Sequence, residues 1–211
     1  MRVLLVALLV VLAVGGCGTS DDELARPVAT TTLPPEIPTD LVDLPVGTAD
    51  VGPGDRVRVG GGILRVNGRA VDLAPVRVDA VAVVEGGVFF RNGLELWFTD
   101  LDRAQATGYA DARSVVASDD GRRIAFLDME HGPKDRFGTP LAIVVAYDAT
   151  TGKPLVASYA GMGDPLEDDL AGLYEDSQPE VLRVEDDAVL VQGATGDHRI
   201  PLDGSTWEKI G

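Results

Sequence analysis

From Arg56 onward the chain alternates short apolar runs with clusters of Asp, Asn and Gly, and residues 112–158 hold the clearest complete unit. Val115-Val116-Ala117-Ser118 leads into the turn signal Asp119-Asp120-Gly121 and the returning run Arg122-Arg123-Ile124-Ala125-Phe126-Leu127. After a longer loop come Leu141-Ala142-Ile143-Val144-Val145-Ala146-Tyr147, the turn Asp148-Ala149-Thr150-Thr151-Gly152, and Lys153-Pro154-Leu155-Val156-Ala157. Apolar runs of this length bounded by turn residues predict strands, and tight turns between them predict antiparallel hairpins. The unit reads as one four-stranded sheet.

Three weaker units share its order of turns. Residues 78–99 alternate apolar runs with Glu85-Gly86-Gly87 and Asn92-Gly93; residues 56–73 do so around Asn67-Gly68, and residues 180–202 around Asp186-Asp187 and Thr195-Gly196-Asp197. Asn-Gly between apolar runs predicts a type I′ turn, which needs positive φ at both central residues. The first unit has three strands, so its edge is expected to be completed by Leu41-Val42-Asp43-Leu44, by Thr206-Trp207-Glu208-Lys209-Ile210 or by dimerisation. One segment breaks the pattern. Asp164 as cap, Pro165 at the first helical position and Glu167 three after the cap predict a short helix with Leu166, Leu170, Leu173 and Tyr174 on one face. Glu167, Asp168 and Asp169 then fill its first turn, where the helix dipole favours acidic groups. The fold class expected is all-β: a partial or small β-propeller-like array of about four antiparallel sheets with one short helix.

Ala146-Tyr147-Asp148-Ala149-Thr150-Thr151-Gly152-Lys153-Pro154-Leu155 resembles the Ala-x-Asp-x-x-Thr-Gly-Lys-x-Leu signature of bacterial propeller repeats, those of the quinoprotein type and their cofactor-free relatives. The residues explain themselves physically as a turn. Asp148 can accept backbone N–H bonds, and Gly152 can take the left-handed conformation that turns the chain back. Quinoproteins carry a tryptophan after the turn where Val156 stands here, so turn roles for Asp148 and Gly152 are expected and no cofactor is.

The amino terminus follows other rules. Met1-Arg2 is a short positive start, residues 3–14 are an apolar run of Val, Leu and Ala, and Gly15-Gly16 precede Cys17, the only cysteine. The run is shorter than the roughly 20 residues a membrane-spanning helix needs. It reads as a signal peptide over residues 1–16. Val14-Gly15-Gly16-Cys17 resembles the lipobox of bacterial lipoproteins, which implies lipidation at Cys17, an extracytoplasmic location and attachment to the cell membrane through the lipid. Residues 17–50 are rich in Thr, Pro, Asp and Glu and read as a disordered tether, within which Asp40-Leu41-Val42-Asp43-Leu44 is apolar enough to dock as an edge strand. Residues 51–211 are the propeller-like domain.

A net charge of -16, from 34 acidic and 18 basic residues, opposes binding to phosphate backbones and to anionic headgroups, so nucleic acid is not an expected partner and another protein is. Aromatics make up only 5% of the chain, so the core must come from Val, Leu, Ile and Ala. Reactive side chains concentrate in the loop after Leu127, where Asp128, Glu130, His131 and Asp135 combine hard oxygens with an imidazole and are the candidate ligands for a divalent cation. The same charged groups suit a solvated hairpin loop, just as Asp119-Asp120 and Asp186-Asp187 suit turns. Trp97 and Trp207 read as packing residues. Without an acid, a base and a nucleophile gathered in one motif, the expectation is a non-enzymatic binding or assembly module at the cell surface. The rival is a cation-dependent protein or hydrolase centred on residues 128–135.

Overall fold

The computed structural model describes residues 41–75 and 77–210. The signal peptide over 1–16, the lipidation site Cys17 and the tether as far as residue 40 lie outside the described residues. The described chain is all-β apart from one helix, and forms four antiparallel sheets whose strands follow one another in sequence. The first sheet contains β1 (Val57–Gly60), β2 (Ile63–Val66) and β3 (Arg69–Asp72); the second contains β4 (Val78–Val84), β5 (Gly87–Asn92), β6 (Glu95–Thr99) and β7 (Ala104–Ala106). The third contains β8 (Ala112–Ala117), β9 (Arg123–Asp128), β10 (Ile143–Asp148) and β11 (Pro154–Ser158). After α1 (Leu170–Ser177) comes the fourth, with β12 (Glu180–Val184), β13 (Ala188–Gly193), β14 (Gly196–Pro201) and β15 (Glu208–Lys209). Among the described residues no helix is long and apolar enough to cross a membrane.

Strand side chains point alternately to the two faces of a sheet, so each face can be traced into a separate apolar layer. In β10, Ile143, Val145 and Tyr147 join one layer with Phe89, Leu96 and Phe98 of the second sheet. Val144 and Ala146 point the other way and meet Val181, Val189 and Val191 of the fourth sheet together with Leu170 and Tyr174 of α1. Val88 and Phe90 of β5 likewise turn from Phe89 to meet Leu64, Val66 and Val71 of the first sheet. Three apolar layers therefore separate four sheets, and the two middle sheets are buried on both faces. β8 packs beside both β4 and β12. The Ser114 hydroxyl, on a bulge of β8, accepts from Val181 N at 2.8 Å and donates to Val181 O at 3.2 Å.

Several expectations change in detail. Asn67 and Gly68 both have positive φ, at 49° and 85°, as the type I′ turn requires. At Asn92-Gly93, however, Asn92 pairs with Glu95 inside the ladder, the loop is Gly93-Leu94, and only Gly93 (φ 63°) is left-handed, the pattern of a type II′ turn. The strand β7 had no apolar signature. The carboxy-terminal residues do supply a strand, but β15 pairs with β14 in the fourth sheet, while the first sheet keeps three strands. The helix starts five residues later than expected, capped by Asp169, whose carboxylate accepts from Gly172 N. Asp164 instead forms a turn, accepting from Leu166 N at 2.8 Å and donating its own N–H to Asp168, and Leu166 stays 77% exposed. Glu167 and Asp168 precede the helix and its first turn carries no acidic residue. The start shifts because Asp135 accepts from Leu170 N at 2.9 Å, satisfying an orphan donor of the first turn from outside the helix.

Candidate functional site

The loop from Asp128 to Asp135 separates into two arrangements. Asp128, fully buried at the end of β9, accepts from Glu130 N at 3.0 Å and lies 2.8 Å from His131 Nδ1. His131 is half exposed and its ring meets Tyr109 edge-on, with centroids 5.9 Å apart. Asp135 is turned away into its own loop: its carboxylate accepts from Phe137 N at 2.8 Å, Thr139 N at 2.9 Å and Leu170 N. Burial pushes its acidity the other way, but these N–H groups outweigh it and hold the carboxyl below its ordinary range. Of the four candidate ligands the structure thus brings together Asp128 and His131, while Glu130 is tied in through its backbone. Among the described residues no group of three or more His, Cys, Asp or Glu side chains is gathered to hold a metal ion.

Beside this pair lies a buried phenol cluster that ties the amino-terminal end of the described chain to the domain. Tyr147 donates to Val42 O at 2.9 Å, so the proton in its contact with Tyr109 comes from Tyr109. Burial pushes the Tyr109 phenol up to about 12, and raises that of Tyr147 too, so both remain protonated donors at neutral pH. Leu44 is buried against this cluster and donates its N–H to Gly152 O at 2.8 Å. Asp148 accepts from Thr150 N (2.8 Å) and Thr151 N (3.0 Å), which folds the turn that presents Gly152 at φ 70°. A Cβ on Gly152 would stand 2.1 Å from Leu44 O. Further along, Gly86 accepts from Ala49 and donates to Val51, so residues 42–51 cross the turns of the third and second sheets. That stretch of the expected tether lies on the domain, and it does so as an extended strap and not as an edge strand.

A groove of about 570 Å³ opens between the third and fourth sheets, at the turn end of β9 and β13. Leu155 of β11 and Leu202, just beyond β14, give it an apolar surface. Arg123 and Arg199 form its walls and are mostly covered, each held by carboxylates: Arg123 lies 3.2 Å from Asp186 and 3.5 Å from Asp120, and Arg199 lies 2.7 Å from Asp187. The Asp187 hydrogen bond raises the pKa of Arg199 above its ordinary range. In the sequence Asp186-Asp187 reads as a turn, and nothing local reveals that the turn faces arginines from two different strands.

Trp97 packs against Phe90 and donates its indole N–H to Glu95 at 2.7 Å. Trp207 is half exposed and stands edge-on over buried His198, centroids 5.0 Å apart. Compared with protein-family models, with curated proteins and with solved structures, the chain matches none.

Proposed function

We propose that this protein is a lipid-anchored, extracytoplasmic binding or assembly module, without catalytic activity, whose four sheets form an open propeller-like array. The radial part of this reading rests on the three apolar layers between successive sheets and on the position of β8 beside β4 and β12. The anchor rests on the apolar run before Cys17. The observation that carries the function is the groove between the third and fourth sheets, a recess that sets apolar Leu155 and Leu202 beside charged side chains from turns and strand ends.

The decisive experiment is capture of protein partners from solubilised membranes on the full lipidated chain, beside Leu155→Arg. Leu155 is 37% exposed, so the longer side chain enters the groove without entering the core. A partner retained by the parent and lost by the variant, with unchanged thermal midpoint, is the expected result. Equal capture by both, or none by either, would sink the reading.

A further inference from the structure

We infer that the groove receives an extended peptide segment bearing lysine or arginine; this rests on the reading of the groove as the binding surface. Both guanidiniums in the groove are already neutralised within the chain, Arg123 by Asp120 and Asp186 and Arg199 by Asp187. Their side chains are only 24% and 29% exposed, whereas Asp186 and Asp187 are 93% and 74% exposed. Asp203 and Glu208 line the same groove with no cation in ion-pair contact among the described residues. Four carboxylates thus face the opening against two guanidiniums, and the carboxylates are the groups a ligand meets. A phosphate or an acidic peptide is repelled, and a cation is drawn in.

The backbone argues for an extended ligand. β11 ends its sheet and pairs only with β10, so one side of it presents unpaired N–H and C=O groups next to Leu155. A peptide strand laid along such an edge gains main-chain hydrogen bonds and places alternate side chains on opposite sides. Side chains on the groove side of the segment then meet both apolar Leu155, Pro201 and Leu202 and acidic Asp186, Asp203 and Glu208, so that side carries apolar and cationic groups.

The test titrates the full lipidated chain, in non-ionic detergent, with a short fluorescent peptide of alternating lysine and valine and with its glutamate counterpart. The lysine peptide should bind, the glutamate peptide should not, and affinity should fall roughly tenfold between about 0.05 and about 0.2 M salt. The double variant Asp203→Asn/Glu208→Gln should weaken binding about fivefold or more. Glu175→Gln/Asp176→Asn removes two exposed charges from α1 and should change little. Binding of both peptides alike, no binding of the lysine peptide, or equal losses in the two double variants would overturn the proposal. If the lysine peptide fails while Leu155→Arg still abolishes partner capture, the ligand chemistry is wrong and the binding groove stands.

Discussion

The first and third sheets are both antiparallel and connected by tight turns, yet they differ in what surrounds them. In β2 and β3 the buried residues Leu64, Val66 and Val71 alternate with exposed Arg65, Ala70 and Asp72. In β9 and β10 burial runs unbroken from Ile124 to Asp128 and from Ile143 to Tyr147. One apolar layer covers the first sheet and two cover the third. Alternation is therefore a measure of how many faces a sheet hides, and continuous apolar runs mark the interior of the stack.

The sharpest break in that comparison is Val144→Asp. Val144 is fully buried opposite Leu127 in the layer shared with the fourth sheet, so a carboxylate there has no partner and no water. The expected loss is more than about 4 kcal/mol, enough to unfold a domain of ordinary stability. Urea denaturation measures it; a loss under about 1 kcal/mol would mean that the second face of the third sheet is not packed in solution.

Next in size is Gly152→Val, measured against Gly138→Val. Both glycines are left-handed, at φ 70° and 89°, so each substitution carries a backbone cost of roughly 1–3 kcal/mol. Gly138 faces open space, while Gly152 is pressed against Leu44 O. The Gly152 variant should lose more stability and should also free the strap, seen as faster proteolysis within residues 41–51. Equal losses and equal cleavage would show that the strap does not depend on this turn.

How much of this was legible follows the same physics. β10 and its Asp148-to-Gly152 turn could be read because burial on both faces writes a continuous run and the turn needs its own residue types. The strap could not be read in the same way: Leu44 is held by the carbonyl of Gly152, and a backbone contact leaves no side-chain period. The helix starts at Leu170 and not at Pro165 because Asp135, which holds Leu170 N, is remote in sequence from the stretch around Asp164 where a cap can be read. For the groove, Asp186, Arg123 and Arg199 each fit their own turn or strand, and only the stacking of sheets brings them together.

Acidification should loosen the fourth sheet. His198 is buried with its Nδ1 unpartnered, between Gly161 on one side and Trp207 on the other. Burial, and then Lys209 across the ladder, lower its pKa from 6.5, with Asp197 opposing them. The folded state thus favours the neutral ring, so this stability is fully present above pH 6.5 and is lost as pH falls from there toward the lowered value. The thermal midpoint of the parent should fall between about pH 6.5 and pH 5, above the carboxylate range, and that of His198→Gln should fall less. Parallel curves would remove His198 as the cause.

The smallest effect has the opposite sign. Arg65 lies directly opposite Arg58 across β1 and β2, both exposed on the uncovered face of the first sheet. Like charges in that position repel, so Arg65→Glu converts a repulsive pair into an attractive one and should stabilise the domain by roughly 0.2–1 kcal/mol. The gain should shrink as salt rises, because exposed charges are screened. A glutamate in β10 of the third sheet could never be neutral in this way, since no position from Ile143 to Tyr147 faces water. Urea midpoints of parent and variant at low and high salt decide the matter. A loss of more than about 1 kcal/mol would mean that the outer face of the first sheet is covered in solution, and that the contrast between the two sheets is smaller than their strands indicate.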